Sequence, residues 1–256
     1  MMDKHTIELD GHNIAYYRTG VAGGAPVLLA HGFTGSAHKD FIDQGWFDLL
    51  VEQGRDVVAL DHLGHGASDK PEGDASLYTP AAHAARMKAL ADHLGWQAFD
   101  LIGHSMGGRI SIAYALAYPN TINHLTLVGV GLNVLSADFL SPGIIKMIEM
   151  MIATEADDLP KEMQAWHRLL MAESQSLPAL LSCAQGIALE AVDLTRVIPF
   201  DRPTMVVQGL DDPIGAGADR LAAMFKARHV AVAGADHDTI RAHPTFKNAV
   251  LDFWQT

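Results

Sequence analysis

Phe99-Asp-Leu-Ile-Gly-His-Ser-Met-Gly-Gly-Arg109 is the stretch on which the reading of this chain turns. A short apolar run ends at Ile102, and an apolar helical segment runs on to Tyr118. Between them stands Gly103-His104-Ser105-Met106-Gly107, a serine spaced between two glycines. A serine where a buried strand runs directly into a helix sits on a sharp, strained turn that lifts its hydroxyl above the sheet edge. The flanking glycines suit that turn, because strand and helix backbones pass too close for side chains. The helix that starts beside the serine also offers unpaired backbone N–H groups to a developing negative charge.

Outward from this turn, continuous apolar runs recur at Pro26–Ala30, Asp56–Leu60, Leu125–Val128, Thr204–Gln208 and Arg228–Val232. Short continuous runs suit strands buried on both faces, as in a parallel sheet. Helical segments at Pro80–Leu94 and Met106–Tyr118 have crossover length, so strand and helix alternate and the architecture is α/β. Before them, alternating residues flank Asp10-Gly11, a hairpin signal. A final helix is expected over Pro244–Trp254. The rhythm breaks between Leu132 and Pro199, a helical stretch that holds five of the eleven methionines together with Trp166. Strands on both sides of it belong to one sheet. The reading is therefore a core of residues 1–131 and 200–256, with 132–199 inserted into it.

Composition narrows the possibilities. The chain has 256 residues, 49% of them apolar, and 18 basic against 30 acidic residues give a net charge of −12. A surface that negative repels phosphate backbones and excludes nucleic acid as a partner. The single Cys183 excludes an internal disulfide framework and a thiolate zinc cluster. The N-terminal residues lack the apolar run of a secretory signal, and no run of about eighteen apolar residues would span a membrane. A cytoplasmic protein, monomeric or homodimeric and with no membrane partner, is the expectation.

A serine hydroxyl is a weak nucleophile and needs a histidine base that is oriented by a carboxylate. Downstream of Ser105, His124 and His229 begin apolar runs, His167 lies in the insertion and His243 borders the last helix. His237 follows a late strand in a loop, Ala233-Gly-Ala-Asp-His-Asp238, and is the candidate base. Gln208-Gly-Leu-Asp-Asp-Pro213 offers Asp211 and Asp212 as the acid. His62-x-x-His65 with Asp61 and Asp69 has the look of a metal site, but a glycine-broken loop favours structural roles, and no metal is expected.

Together these motifs resemble the α/β-hydrolase superfamily. His31-Gly32-Phe33-Thr34-Gly35 is similar to its oxyanion loop, and Asp61-His-Leu-Gly-His-Gly-Ala-Ser-Asp69 to the loop after the next strand. Gly103–Gly107 matches the nucleophile elbow, and Gly209–Asp212 with Gly234–His237 match the rest of the triad. The resemblance implies a mostly parallel eight-stranded sheet flanked by helices, with residues 132–199 as a helical lid. It selects Asp212 over Asp211, because the acid commonly lies three residues after the glycine. It implies Ser105, Asp212 and His237 as catalytic residues and the backbone N–H groups of Phe33 and Met106 as oxyanion donors. His31, Gly32, His104, Arg109 and the lid residue Trp166 become candidates for substrate contact. The implied activity is cofactor-free hydrolysis of a small apolar carboxylic ester by a serine esterase. Two alternatives stand beside it. One is a menaquinone-pathway-like lyase or C–C hydrolase with the same triad, which the match of Ser105–Arg109 suggests. The other is a ligand-binding sensor on the same fold. The lid methionines are expected to supply part of the substrate surface.

Overall fold

The computed structural model describes residues 2–21, 23–137, 142–193 and 200–255. Its centre is one eight-stranded sheet in the order β1-β2-β4-β3-β5-β6-β7-β8. These strands are β1 (Asp3–Leu9), β2 (His12–Gly20), β3 (Pro26–Ala30), β4 (Asp56–Leu60), β5 (Phe99–His104), β6 (Ile122–Val128), β7 (Thr204–Gly209) and β8 (Arg228–Val232). Strand β2 runs antiparallel to both neighbours, and every other adjacent pair is parallel. The β1–β2 turn places Asp10 (φ 51°) and Gly11 (φ 76°) in the left-handed region, as a two-residue hairpin turn requires.

The apolar runs are continuous because both sheet faces are covered. Along β3, Leu28 and Ala30 enter one core while Val27 and Leu29 enter the other; β4 divides in the same way. The first core takes helices α2 (Pro80–His93), α3 (Met106–Ala117) and, beyond the insertion, α7 (Ala218–Phe225). The second takes α1 (Trp46–Glu52) and α8 (Pro244–Phe253), whose Trp46 and Phe246 rings lie 4.8 Å apart. Helix α2 begins with Thr79 accepting the Ala82 N–H, and Pro80 supplies a fixed φ at its first position.

The insertion leaves the sheet after β6 and returns at its direct neighbour β7. It contains α4 (Pro142–Ala153), α5 (Lys161–Ala172) and α6 (Leu177–Ala188). Ile148, Met151, Leu170, Leu180 and Cys183 pack these helices into the first core. Residues 138–141 and 194–199, and with them the expected boundary between 199 and 200, lie outside the described residues.

Arg109 joins this insertion to the core. It is fully buried on α3, and its guanidinium donates to the carbonyls of Val134, Ser136, Ile187 and Glu190. Burial pulls it down to about 10, against a weaker opposing pull from Glu190, so it keeps its charge at neutrality. The expectation that Arg109 contacts substrate is corrected by this placement. One helical turn from Ser105, its side chain follows the opposite direction, into the two ends of the insertion.

Candidate active site

Ser105 joins β5 to α3 with φ 54° and ψ −117°, a conformation that a residue with a Cβ adopts at a cost of roughly 1–3 kcal/mol. Its N–H donates to the Val128 carbonyl at 2.9 Å, which ties the turn to the end of β6. The flanking glycines are there for lack of space. A Cβ on Gly107 would collide with the Ala30 carbonyl, and one on Gly103 would lie 2.5 Å from the Gly107 carbonyl oxygen. Strand β5, the helix and β3 therefore close around the serine only with hydrogen at both positions.

The turn after β7 carries Asp212, and the loop after β8 carries His237. His237 Nε2 lies 2.9 Å from Ser105 Oγ, and its Nδ1 lies 2.9 Å from Asp212 Oδ2. The Nδ1–H faces a carboxylate, so Nε2 presents its lone pair to the serine hydroxyl. Asp212 is buried, and its other oxygen accepts the Ile214 N–H at 2.8 Å. Burial pushes this carboxyl up. The hydrogen bond and charge of His237, with the N–H groups of Ile214 and Gly215, outweigh burial and hold it below its ordinary value. Asp211, the other sequence candidate, is exposed and does not reach His237.

These groups open into a cavity of about 200 Å³ lined by Gly32, Phe33, Thr34, Lys39, His104, Ile144, Ile214, Asp238 and Arg241, among others. Of the expected contact residues, Gly32 and His104 line it. Trp166 is half-buried against the first core and does not. His31 is fully buried and acts on the backbone: its Nδ1 meets the Gly32 carbonyl at 2.8 Å, and its Nε2 accepts the His62 N–H at 2.9 Å. The Gly35 N–H also donates to the Gly32 carbonyl, at 3.0 Å. A trans peptide points its C=O and N–H in opposite directions, so pinning the Gly32 oxygen directs the Phe33 N–H the other way. Met106 opens α3, where its N–H has no carbonyl one turn earlier to pair with.

Among the described residues, the insertion reaches the cavity through Ile144, not through a methionine. Met151 is buried in the core, Met147 and Met163 pack against it, and Met150 and Met171 are 39% and 41% exposed. The methionines serve packing and surface, because the helix face turned to the cavity carries the branched residue. The charged lining was not legible in the sequence. Lys39 donates to Glu173 at the end of α5 over 3.0 Å, and Arg241 donates to Asp40 and Asp238 over 2.5 Å each. Arg241 and Asp238 stand three positions apart, but Lys39–Glu173 and Arg241–Asp40 join segments 134 and 201 positions apart, and no local spacing announces them. A larger cavity of about 400 Å³ between α2, α3 and residues 190–193, walled in good part by alanines, holds none of the triad.

Among the described residues, no three His, Cys, Asp or Glu side chains are arranged to hold a metal ion. Asp61 is used by the backbone, accepting the N–H groups of Ala37 at 2.7 Å and Ala67 at 2.8 Å. His62 and His65 are buried, and burial drags His65 down to about 3.

With this geometry in place, comparison with known proteins identifies the class. The model of the alpha/beta hydrolase fold matches residues 25–151, and the chain belongs to the α/β-hydrolase superfamily. The proline iminopeptidase of Lactobacillus helveticus (strain DPC 4571) is 30% identical over 68% of this chain and 56% of its own length. Lipase 1 of Psychrobacter immobilis is 34% identical over 54% of this chain and 40% of its own. The matched stretches thus span about half the length of these relatives. A hydrolase from Pseudomonas aeruginosa PA01 superposes with a TM-score of 0.79 at 22% identity over 99% of both chains, a likeness of fold. Among the described residues, no helix is long and apolar enough to cross a membrane.

Proposed function

We propose that this chain is a serine hydrolase that cleaves a carboxylic ester of a small, apolar molecule through an acyl-enzyme intermediate. The observation that carries this reading is the unbroken relay from Ser105 through His237 to Asp212, with both contacts at 2.9 Å, opening into a cavity whose apolar surface comes from Phe33, Ile144 and Ile214. His237 Nε2 takes the Ser105 proton while Oγ attacks the ester carbonyl, and Asp212 balances the imidazolium that forms. The carbonyl oxygen becomes an oxyanion held by the Phe33 and Met106 N–H groups. The imidazolium then protonates the leaving alcohol. Water, deprotonated by the same histidine, releases the acid and restores the serine. The chain supplies every group in this cycle, so no metal or cofactor takes part.

Charge and size support a small neutral substrate. The cavity, at about 200 Å³, lies below the range of roughly 300–1,000 Å³ that encloses drug-sized ligands. The cations in its wall are already matched, Lys39 by Glu173 and Arg241 by Asp40 and Asp238. An anionic substrate would have to displace one of these carboxylates. With Arg109 engaged at the insertion, the lyase-like reading loses the residue that suggested it. A lipase among the relatives agrees with ester chemistry.

The test is labelling with a fluorophosphonate, followed by p-nitrophenyl esters of graded chain length. Ser105 should carry the label, and butyrate or hexanoate should exceed acetate in kcat/KM. Each methylene buried against Ile144 and Ile214 is worth up to about 0.8 kcal/mol, or roughly fourfold in rate. A chain that takes no label would instead be a binding protein. Strong preference for a succinate half-ester over neutral butyrate would reject the apolar reading.

A further inference from the structure

Asp40 lies on a short helical turn, His38–Ile42, and is 1% exposed. It is absent from every motif that marks the site, yet its carboxylate touches three separate segments around Ser105. Oδ2 accepts the Gly32 N–H at 2.8 Å and faces His104 Nδ1 at 2.9 Å. Oδ1 accepts from Arg241 Nη1 at 2.5 Å. Each partner leads to one side of the site. Gly32 precedes Phe33 in the oxyanion loop. His104 places its Nε2 3.1 Å from the His237 carbonyl oxygen, and its ring lies 4.9 Å from the His237 ring. Arg241 grips Asp238 twice, through the side chain at 2.5 Å and the carbonyl at 2.9 Å.

We propose that Asp40 is a positioning residue that couples the oxyanion side of the site to its histidine side, keeping the Phe33 N–H and the His237 imidazole in register across Ser105. The proposal rests on the hydrolase reading above. Packing leaves the carboxylate little freedom: a Cβ on Gly35 would lie 2.9 Å from Asp40 Oδ1, and one on Gly32 would lie 3.0 Å from His104 Nδ1. Such a buried charge is a poor choice for stability alone, because a well-packed apolar group often does as well. It is a good choice for orientation, since a carboxylate has lone pairs in several directions and can join donors from three segments. Burial by itself would push the Asp40 carboxyl up; His104 and Arg241 outweigh it and hold the group ionised.

Asp40→Asn keeps the shape, removes the charge and turns a donor toward one of the present donors. Arg241→Met cuts the arm to Asp238 alone. Steady-state kinetics on p-nitrophenyl butyrate would be measured for both variants and the double variant, with thermal melting to establish that each is folded. Each single change should lower kcat by about 10- to 100-fold with KM within about twofold, because misplaced groups raise the barrier without removing contacts to the acyl chain. The double variant should be no slower than Asp40→Asn, as members of one relay are non-additive. If Asp40→Asn does not fold, the same split between kcat and KM in Arg241→Met decides the matter. A folded variant with kcat within twofold of wild type, a loss confined to KM, or losses that multiply in the double variant would overturn the coupling. Wild type inert to both ester and fluorophosphonate would overturn the hydrolase reading beneath it, a result distinct from an active wild type with unaffected variants.

Discussion

Ser105 pays for its position with a left-handed backbone, and nothing in that strain depends on the hydroxyl. Ser105→Ala should therefore melt within a few degrees of wild type, while ester turnover falls by about 10³-fold or more. Near-normal turnover by the folded variant would end the mechanism. The two neighbouring aspartates supply a sharper comparison. Asp212→Asn should reduce kcat by about 10⁴-fold through loss of the correct imidazole tautomer, whereas Asp211→Asn, at an exposed position, should stay within about threefold. Reversed ranking would move the acid to Asp211. At this scale the sequence was informative wherever chemistry imposes a local pattern. The glycines around Ser105 answer a close approach, and the histidine and acid each follow a strand. Asp40, Lys39 and Arg241 answer no local requirement. Lys39 meets Glu173, and Asp40 meets His104 and Arg241, from distant segments, so only the folded chain brings these pairs into view.

Among the elements, strands were easiest to read, since burial on both faces leaves an unbroken apolar run. The expected Pro26–Ala30, Asp56–Leu60 and Arg228–Val232 coincide with β3, β4 and β8. Helices α1 and α7 escaped notice because they have only seven and eight residues and begin at glycines, Gly45 and Gly217, with no capping side chain. The same limit hid the role of Arg109, which donates to four main-chain oxygens. Arg109→Met should leave those carbonyls buried without a donor and destabilise the protein by about 3 kcal/mol. Hydrogen exchange can localise the loss. Amides of α4, α5 and α6 should lose protection before those of β3 and β5; equal protection across both would mean that the insertion is anchored by its apolar contacts alone.

For the molecule as a whole, acid is the vulnerable side. His62, His65, His83 and His104 are buried, and burial is the leading cause that lowers each below the ordinary imidazole value. Below pH ~6.5 the unfolded chain takes up protons at these positions that the folded chain refuses, so stability falls as pH falls. Each such histidine contributes up to about 1.4 kcal/mol per pH unit. Asp40 acts in a lower window: its stabilisation is present above about pH 4 and is lost as its own carboxyl protonates. Urea midpoints at pH 7.5 and 5.5 would check this, and equal midpoints would contradict it. The Arg109 anchor has another consequence at this scale. A main-chain oxygen is the same whatever residue carries it, so these four bonds do not depend on which side chains Val134, Ser136, Ile187 and Glu190 bear. The anchor would therefore tolerate substitution at these four positions while the backbone keeps its path, whereas Ile148, Met151, Leu170, Leu180 and Cys183, buried in the first core, are held to apolar residues of similar size.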